Sequence, residues 1–320
     1  MVTFGAWVHT GDDLSLETQL AAASAAGVSA IRSYGYAYAA QAAPALQRYG
    51  VGLLTGMHID AEALVADWRS QVHLDDLARY HELGVSLDAI CVGNELREGG
   101  DAPDKKRFTA RLSFGLANVL DTYRCWLDDH GFDTPLTYAM EGIVLDSEGR
   151  FYEWLWPLVD ACDLVGLNLY PMGNEAWFTY AAFEESRRFL HDPRARHDRL
   201  ALFELHLRRV LAQVSSVGKA LILTETGFPS AVGYRIEDER RVVPEHDRVA
   251  YAAAMSEFVG RIRTVNDDYD GRIRSVYFYE WRDNLHHPKI WNVEQSPIHT
   301  AFGLCDRFGA PKLDIGALLG

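Results

Sequence analysis

The sequence predicts a (β/α)₈ TIM barrel, an α/β fold in which eight parallel strands each lead into a helix. Short β-prone runs recur along the 320 residues, and stretches with helical apolar spacing separate them. The runs are apolar over most of their length, as in parallel strands that are buried on both faces. An open doubly wound sheet is the alternative, but the G-x-G-x-x-G turn that would favour it is absent. We therefore expect residues 1–320 to form a single barrel domain, with an enlarged loop at about residues 173–196.

The eight predicted strands alternate with helical segments in chain order. The predicted strands are residues 2–8, 28–34, 51–58, 87–95, 135–141, 162–170, 219–225 and 273–281. The predicted helices are residues 15–26, 38–49, 61–83, 104–131, 151–160, 197–215 and 245–264. The segment 104–131 shows the helical pattern clearly, because apolar residues from Phe108 to Leu127 fall on one face and Gly131 suits the end of a helix.

Composition and charge narrow the classes of partner. The formal net charge is −14, which argues against nucleic acid or an anionic membrane as the main partner. The four cysteines form no C-x-x-C pair, and we expect thiols rather than a disulfide framework. No secretion-signal pattern precedes the first strand, and no apolar run reaches the length of a membrane span. We therefore expect a cytoplasmic protein, although a secreted protein trimmed of its signal would show the same pattern.

Polar and aromatic residues follow the predicted strands at the point where each strand ends. In a barrel these ends meet at one mouth, where the chemistry of the fold takes place. The residues that we expect there are Arg32, Tyr34, Tyr36, His58, Asn94, Glu95, Tyr138, Glu141, Asn168, Tyr170, Glu225, Tyr279, Glu280 and Trp281.

Glu95 and Glu225 are the most informative of these residues. They lie 130 positions apart, but strands four and seven of a barrel would bring them together. Two facing carboxyl groups are the minimum set for cleaving a glycosidic bond, because one donates a proton to the leaving oxygen while the other attacks the anomeric carbon. Aromatic side chains at the mouth suit the apolar faces of sugar rings, and asparagine and arginine suit the hydroxyl groups.

Simpler structural interpretations exist for several of these residues. Glu141 and Glu280 are equally consistent with solvated or ion-paired carboxylates. Arg32 is also consistent with a structural pair to a barrel carboxylate, and His58 with a hydrogen-bonded structural histidine. The sequence contains no H-E-x-x-H, P-loop, G-x-S-x-G or C-x-x-C motif, and we expect neither a metal nor a cofactor.

Five segments resemble a known enzyme group. VGNEL at 92–96 and TETGFPS at 224–230 resemble the two catalytic motifs of the clan A retaining β-glycosidases. The second motif resembles the signature of glycoside hydrolase family 17, the β-1,3-glucanases. IRSYG at 31–35, NLYP at 168–171 and the closing stretch 299–312 are also similar to segments of such barrels.

The resemblance implies a role for each matched residue. Glu225 would be the nucleophile and Glu95 the acid/base. Asn94 would bond the sugar 2-hydroxyl, and Tyr170 would donate a hydrogen bond to the nucleophile. Phe228 departs from the pattern, because the family usually has tryptophan at this position.

We therefore predict a retaining glycoside hydrolase that cleaves β-linked glucosides, in particular β-1,3-gluco-oligosaccharides. The alternatives are a β-glucan transglycosylase on the same site, a non-catalytic carbohydrate-binding barrel, and a sugar isomerase or metal-dependent lyase, which would need a histidine and carboxylate cluster. Within 173–196, Trp177, Phe178 and Tyr180 suggest a wall of the substrate cleft, with a helix on the barrel rim as the alternative. The predicted substrate-binding residues are Arg32, Tyr34, Asn94, Tyr138, Glu141, Asn168, Tyr170, Phe228, Glu280 and Trp281.

Overall fold

The computed structural model describes residues 2–9, 14–98, 107–142, 144–172, 181–238, 241–284 and 297–320. Within these ranges eight parallel strands close into a barrel, and their order around it is their order along the chain. The strands of the described chain are β1 (Thr3–Trp7), β2 (Ala30–Tyr34), β3 (Gly52–Met57), β4 (Leu87–Asn94), β5 (Leu136–Glu141), β6 (Leu164–Asn168), β7 (Ala220–Thr226), β8 (Ala231–Asp238), β9 (Arg241–His246) and β10 (Ile273–Phe278). β8 and β9 form a separate antiparallel hairpin. The predicted barrel and all eight of its predicted strands are confirmed.

Helices cover the outside of the barrel. The helices of the described chain are α1 (Leu16–Ala25), α2 (Tyr36–Tyr49), α3 (Ala61–Ala66), α4 (Leu74–Glu82), α5 (Ala110–Asp129), α6 (Trp156–Ala161), α7 (Ala181–His191), α8 (Pro193–Ser216), α9 (Arg248–Asp268) and α10 (Ile315–Leu319). Many of them begin where a polar side chain accepts a hydrogen bond from a backbone N–H of the first turn. The residues that cap helices in this way are Ser15, Asp60, Thr109, Asp192, Asp247 and Asp314.

Alternation along the strands divides the core into two parts. Leu53 packs among the helices outside the barrel, whereas its neighbour Leu54 lies in a second cluster with residues of the other strands. Successive side chains of a strand point to opposite faces, so this second cluster fills the barrel interior. Small residues such as Ala89 and Ala139 make room there for the large ring of Tyr277.

Several predicted boundaries differ from those of the structure. The predicted helix 61–83 is divided into α3, a 3₁₀ turn at Trp68–Gln71 and α4. The division occurs because Asp67 accepts a hydrogen bond from the backbone N–H of Arg69 and starts a new turn. Within the segment 173–196, the described part is helical rather than loop, since α7 and the start of α8 occupy it. Trp177, Phe178 and Tyr180 lie outside the described residues.

Two general features complete the description. None of the described helices combines the length and the apolar character needed to cross a membrane. All four cysteines are free thiols; Cys91, Cys162 and Cys305 are buried and Cys125 is exposed.

Candidate active site

The carboxyl ends of β2, β4, β6 and β7 bring the main predicted residues together. Arg32, Asn94, Glu95, Asn168 and Glu225 form one hydrogen-bonded group at the mouth of the barrel. The Cα atoms of Asn168 and Glu225 are paired in the sheet, which fixes the relative height of these two side chains. Both predicted catalytic carboxylates therefore belong to a single network.

Glu225 is a largely buried carboxylate that contacts a cation and a phenol. Nη1 of Arg32 lies 3.1 Å from its Oε1 atom, and the Tyr170 hydroxyl donates to Oε2 over 2.9 Å. Burial, together with the Glu225 charge, raises the pKa of Tyr170 well above its usual range, so this phenol remains a donor. A cation and a donor both favour the ionised form of a carboxylate.

Glu95 lies directly after β4 in an unusual backbone conformation. Its φ angle is 46°, in the left-handed region that residues other than glycine rarely adopt. Two hydrogen bonds hold the turn: the Glu95 N–H donates to the Ala139 carbonyl over 3.0 Å, and the Leu96 N–H donates to the Tyr138 hydroxyl over 2.7 Å. The half-buried carboxyl group accepts from Nδ2 of Asn168 over 2.9 Å. The turn therefore directs Glu95 back toward the network.

The orientation of the Asn94 amide follows from its neighbours. Oδ1 of Asn94 accepts from Nη2 of Arg32 over 3.0 Å and from Nδ2 of Asn168 over 2.9 Å. A guanidinium has no acceptor, so the atom that faces it must be the oxygen. The amide NH₂ group of Asn94 consequently points away from Arg32.

The chain leaves β7 through a constrained turn. The Thr226 hydroxyl donates to the Leu169 carbonyl over 2.6 Å. Gly227 follows with a φ angle of 133°, and a Cβ atom there would lie 3.1 Å from the carbonyl oxygen of Tyr279. Glycine allows this turn, which ends the strand beside Glu225.

An aromatic wall lies next to these carboxylates; it consists of Trp7, His9, Tyr34 and Tyr279. The ring of Trp7 lies 5.0 Å from that of Tyr34, 5.4 Å from that of His9 and 6.0 Å from that of Tyr279. The Arg32 guanidinium stands over Trp7, 4.8 Å from the ring centroid. The wall is thus connected to Glu225 through Arg32.

No protein-family model and no curated protein matches the sequence, but solved structures share its fold. An endo-laminarinase from Formosa Hel1_33_131 is 16% identical, with 95% of this chain and 83% of that chain covered and a TM-score of 0.65. CJP38, a β-1,3-glucanase and allergen of Cryptomeria japonica pollen, is 15% identical, with 97% and 98% covered and a TM-score of 0.62. A β-glucuronidase from Ruminococcus gnavus is 13% identical with a TM-score of 0.65, and this chain covers 49% of its length. The chain has the barrel fold of these glycoside hydrolases. The predicted resemblance to the β-1,3-glucanase group is confirmed at the level of the fold.

Glu280 and Trp281 follow β10 and are more buried than substrate-binding residues need to be. Glu280 is fully buried, and its Oε2 atom lies 2.7 Å from Nε2 of His9. Trp281 is also buried, and its backbone N–H donates to the Trp7 carbonyl over 2.7 Å. Because of its contact with Nε2, Glu280 faces the site through His9. The peptide bond between Tyr279 and Glu280 is cis.

Phe228 lies in the core and away from the mouth. It is fully buried, and its ring packs 4.8 Å from that of Phe189, 5.5 Å from that of Tyr251 and 5.7 Å from that of Phe258. A ring enclosed in this way has no face for a sugar. We correct its assignment from substrate binding to core packing.

Three further residues lie outside the network. Tyr138 is 1% exposed, and its hydroxyl accepts the hydrogen bond from the Leu96 N–H that holds the Glu95 turn. This burial corrects the predicted contact of Tyr138 with substrate. Glu141 forms an ion pair with Arg97, which is the structural alternative that the sequence left open. His58 is exposed on the segment after β3.

Trp7 and His9 were not predicted from the sequence, although both lie at the end of β1 and the strand-end rule applies to them equally. A second group that was not predicted is the buried Lys312 cluster, which consists of Ser230, His246, Asp283 and Lys312. Nζ of Lys312 donates to Ser230 Oγ over 2.8 Å and contacts Asp283, while Nε2 of His246 lies 3.2 Å from the same carboxylate. These residues come from four distant segments, so no local pattern reveals them.

Proposed function

We propose that the protein is a retaining β-glycoside hydrolase in which Glu225 is the nucleophile and Glu95 the acid/base. The observation that carries this proposal is the unequal environment of two carboxylates in one network. Arg32 and Tyr170 favour a charged Glu225, whereas Glu95 accepts from the neutral amide of Asn168. Glycosidase chemistry needs one ionised and one protonated carboxyl group.

The reaction proceeds in two displacements. Glu225 attacks the anomeric carbon, while Glu95 gives its proton to the departing glycosidic oxygen, and a glycosyl-enzyme forms. Glu95 then takes a proton from water, whose oxygen attacks the same carbon and releases Glu225. Retention requires carboxyl groups about 5–5.5 Å apart. Asn168 donates to Glu95 and contacts Arg32, which contacts Glu225, so one network holds both carboxyl groups.

The neighbouring residues position the sugar and the carboxylates. Because Oδ1 of Asn94 is held by Arg32, its NH₂ group is available to donate to the sugar 2-hydroxyl. Asn168 keeps Glu95 in place, and Thr224 in turn donates to Oδ1 of Asn168 over 2.6 Å. The aromatic wall offers apolar surface beside the attacked sugar.

We propose β-linked glucose, and in particular short β-1,3-linked oligosaccharides, as the substrate class. The motifs around Glu95 and Glu225 support it, as does the fold shared with an endo-laminarinase and a β-1,3-glucanase. Transglycosylation is the second candidate, because a sugar hydroxyl that replaces water would intercept the same intermediate. Product analysis on β-1,2, β-1,3, β-1,4 and β-1,6 glucose disaccharides and short oligomers distinguishes linkage, hydrolysis and transfer.

The decisive experiment separates the roles of the two glutamates with azide. Glu95→Ala keeps its nucleophile, and a dinitrophenyl β-glucoside needs no proton donor, so the glycosyl-enzyme forms and accumulates. Azide then restores turnover and gives the β-glucosyl azide. In Glu225→Ala, azide occupies the vacated space, attacks directly and gives the α-azide.

Glu141→Ala is the matched control, since Glu141 also ends a barrel strand but is paired with Arg97. It should hydrolyse the dinitrophenyl glucoside without azide. Exchanged anomers between the two variants would exchange the roles of the glutamates. Full activity of both variants on natural oligosaccharides would refute the carboxylate pair, and binding without turnover by the wild type would favour a carbohydrate-binding barrel.

A further inference from the structure

His9 joins the aromatic wall to a fully buried carboxylate. Its Nε2 atom lies 2.7 Å from Oε2 of Glu280, and 31% of its side chain is exposed whereas none of the Glu280 side chain is. Nε2 itself is buried, so the exposed surface belongs to the rest of the ring and its methylene group. One ring nitrogen therefore faces a buried anion, while other atoms of the His9 side chain are exposed.

His9 lies close enough to the proposed nucleophile for the Glu225 charge to raise its pKa. The ring stacks on Trp7 at 5.4 Å and meets the edge of Tyr279 at 6.2 Å. The Arg32 guanidinium that contacts Glu225 stands over the ring of Trp7. A sugar attacked by Glu225 would therefore lie against the exposed part of His9.

The charges around His9 favour its imidazolium form. Burial acts to lower the pKa of His9, but the Glu280 carboxylate 2.7 Å away and the Glu225 charge outweigh burial and raise this pKa. Arg282 acts in the opposite direction. The titratable and charged groups that face the pair are Glu225, Tyr279, Glu280 and Arg282 around His9, and Asp283 and Lys312 behind Glu280.

We propose that His9, held by Glu280, determines specificity in the sugar site by donating a hydrogen bond from Nδ1 to one hydroxyl group of the attacked sugar. This assignment rests on the proposed glycosidase function. Nε2 keeps a proton toward the Glu280 carboxylate, so Nδ1 is a donor only in the imidazolium form. A buried carboxylate behind the ring thus favours a cationic donor at this position.

The test uses His9→Gln with a panel of aryl β-glucosides. The glutamine amide can reach Glu280 as Nε2 does, but it has no group in place of Nδ1. We expect kcat/KM on the parent glucoside to fall about 10- to 100-fold, the usual effect of losing a hydrogen bond from a charged donor. The same loss should disappear for one of the 2-, 3-, 4- and 6-deoxy glucosides, because that substrate lacks the accepting hydroxyl.

Glu280→Gln provides a second variant that keeps the imidazole and removes only the anion. It should show the loss for the same hydroxyl at pH 8, and a smaller loss at pH 5.5, because the lower pH protonates more of the imidazole. Equal losses on every deoxy glucoside, or a loss below about threefold on the parent, would overturn the role of His9. A wild type that hydrolyses none of these glycosides would instead refute the proposed function itself.

Discussion

At the scale of single residues, two chemically identical carboxylates differ in the hydrogen-bond and charge partners that contact them. Glu225 contacts a guanidinium and a phenol, and Glu95 contacts an amide. The difference does not depend on the glutamates themselves but on Arg32 of β2 and on Asn168 and Tyr170 at and after the end of β6. Removing one donor should therefore change the chemistry without removing a reacting group.

Tyr170→Phe tests this separation. The variant loses the 2.9 Å hydrogen bond to Oε2 of Glu225 and keeps the ring. We expect kcat to fall about 10- to 100-fold, because a donor to a charged group is lost. The acid limb of the kcat/KM profile should move to higher pH, since the ionised nucleophile loses support. Steady-state kinetics of an aryl β-glucoside between pH 4 and 9 measures both effects.

Tyr269→Phe is the matched control for this variant. Its hydroxyl donates to the Arg208 carbonyl over 3.0 Å, at the C-terminal end of α9. It should lose a similar amount of stability but keep the wild-type pH profile. A Tyr170→Phe profile that coincides with that of Tyr269→Phe would contradict the role of Tyr170.

At the scale of elements, the β8–β9 hairpin is tied to the barrel mouth from several sides. Ser186 of α7 donates to the Ala231 carbonyl over 2.6 Å, and the Ser230 N–H donates to the Ala301 carbonyl over 3.0 Å. The buried Lys312 cluster joins both ends of the hairpin to the segment after β10, because Ser230 precedes β8, His246 ends β9 and Asp283 follows β10. The cluster therefore attaches both ends of the hairpin to the barrel, a few residues after Glu225.

Lys312→Met removes the buried cation from this cluster. Burial lowers the pKa of Lys312, and its contact with Asp283 opposes that shift. Without the ammonium group the Asp283 carboxylate loses its main compensating charge in the core, and we expect the free energy of unfolding to fall by about 3 kcal/mol. Urea unfolding followed by tryptophan fluorescence measures the loss.

Arg248→Met serves as the surface control, since Arg248 pairs with Asp306 while 51% of its side chain is exposed. We expect it to change the free energy of unfolding by less than about 1 kcal/mol, as exposed pairs usually do. Equal effects of the two substitutions would mean that the cluster does not stabilise the hairpin attachment.

At the scale of the whole molecule, the sequence predicts the barrel because strands buried on both faces leave continuous apolar runs. The convergence of Arg32, Asn94, Glu95, Asn168 and Glu225 follows from the geometry of strand ends. The sequence pattern does not predict which aromatic side chains at the strand ends are buried in the core and which reach the mouth of the barrel. Residue type alone does not distinguish Tyr138 and Phe228, which are enclosed, from Tyr170, whose hydroxyl contacts Glu225.

The β8–β9 hairpin and the His9–Glu280 pair were not predicted from the sequence, for different reasons. A two-stranded ribbon need not bury either face fully, so β8 and β9 carry charged residues and Pro244 in place of an apolar run. His9 and Glu280 meet only because β1 and β10 close the barrel, and they are far apart in the sequence. Closure is a property of the whole fold, and no local pattern contains it.

Because β1 and β10 bring His9 and Glu280 together, the free energy of unfolding depends on pH through these two groups. Burial raises the pKa of Glu280, with His9 opposing, and the net shift of the His9 pKa is also upward. A raised pKa means that the folded state binds its proton more tightly than the unfolded state, so stability is lost as pH rises. The contribution of Glu280 to the free energy of unfolding is lost as the pH rises above its unfolded pKa near 4.5. The contribution of His9 is lost as the pH rises from 6.5 through the folded pKa of His9. Above that range a buried carboxylate faces a neutral imidazole.

Glu280→Gln should therefore flatten this part of the pH dependence. The amide carries no charge to bury, and it no longer favours the imidazolium, so both contributions disappear together. We expect Glu280→Gln to gain stability relative to the wild type as the pH is raised from 5 to 9, whatever its stability at pH 5. Calorimetric Tm values of the two proteins across this range test the prediction, and the difference between them cancels the surface groups that titrate alike in both. A constant difference in Tm from pH 5 to 9 would mean that the His9–Glu280 pair does not titrate as the fold requires.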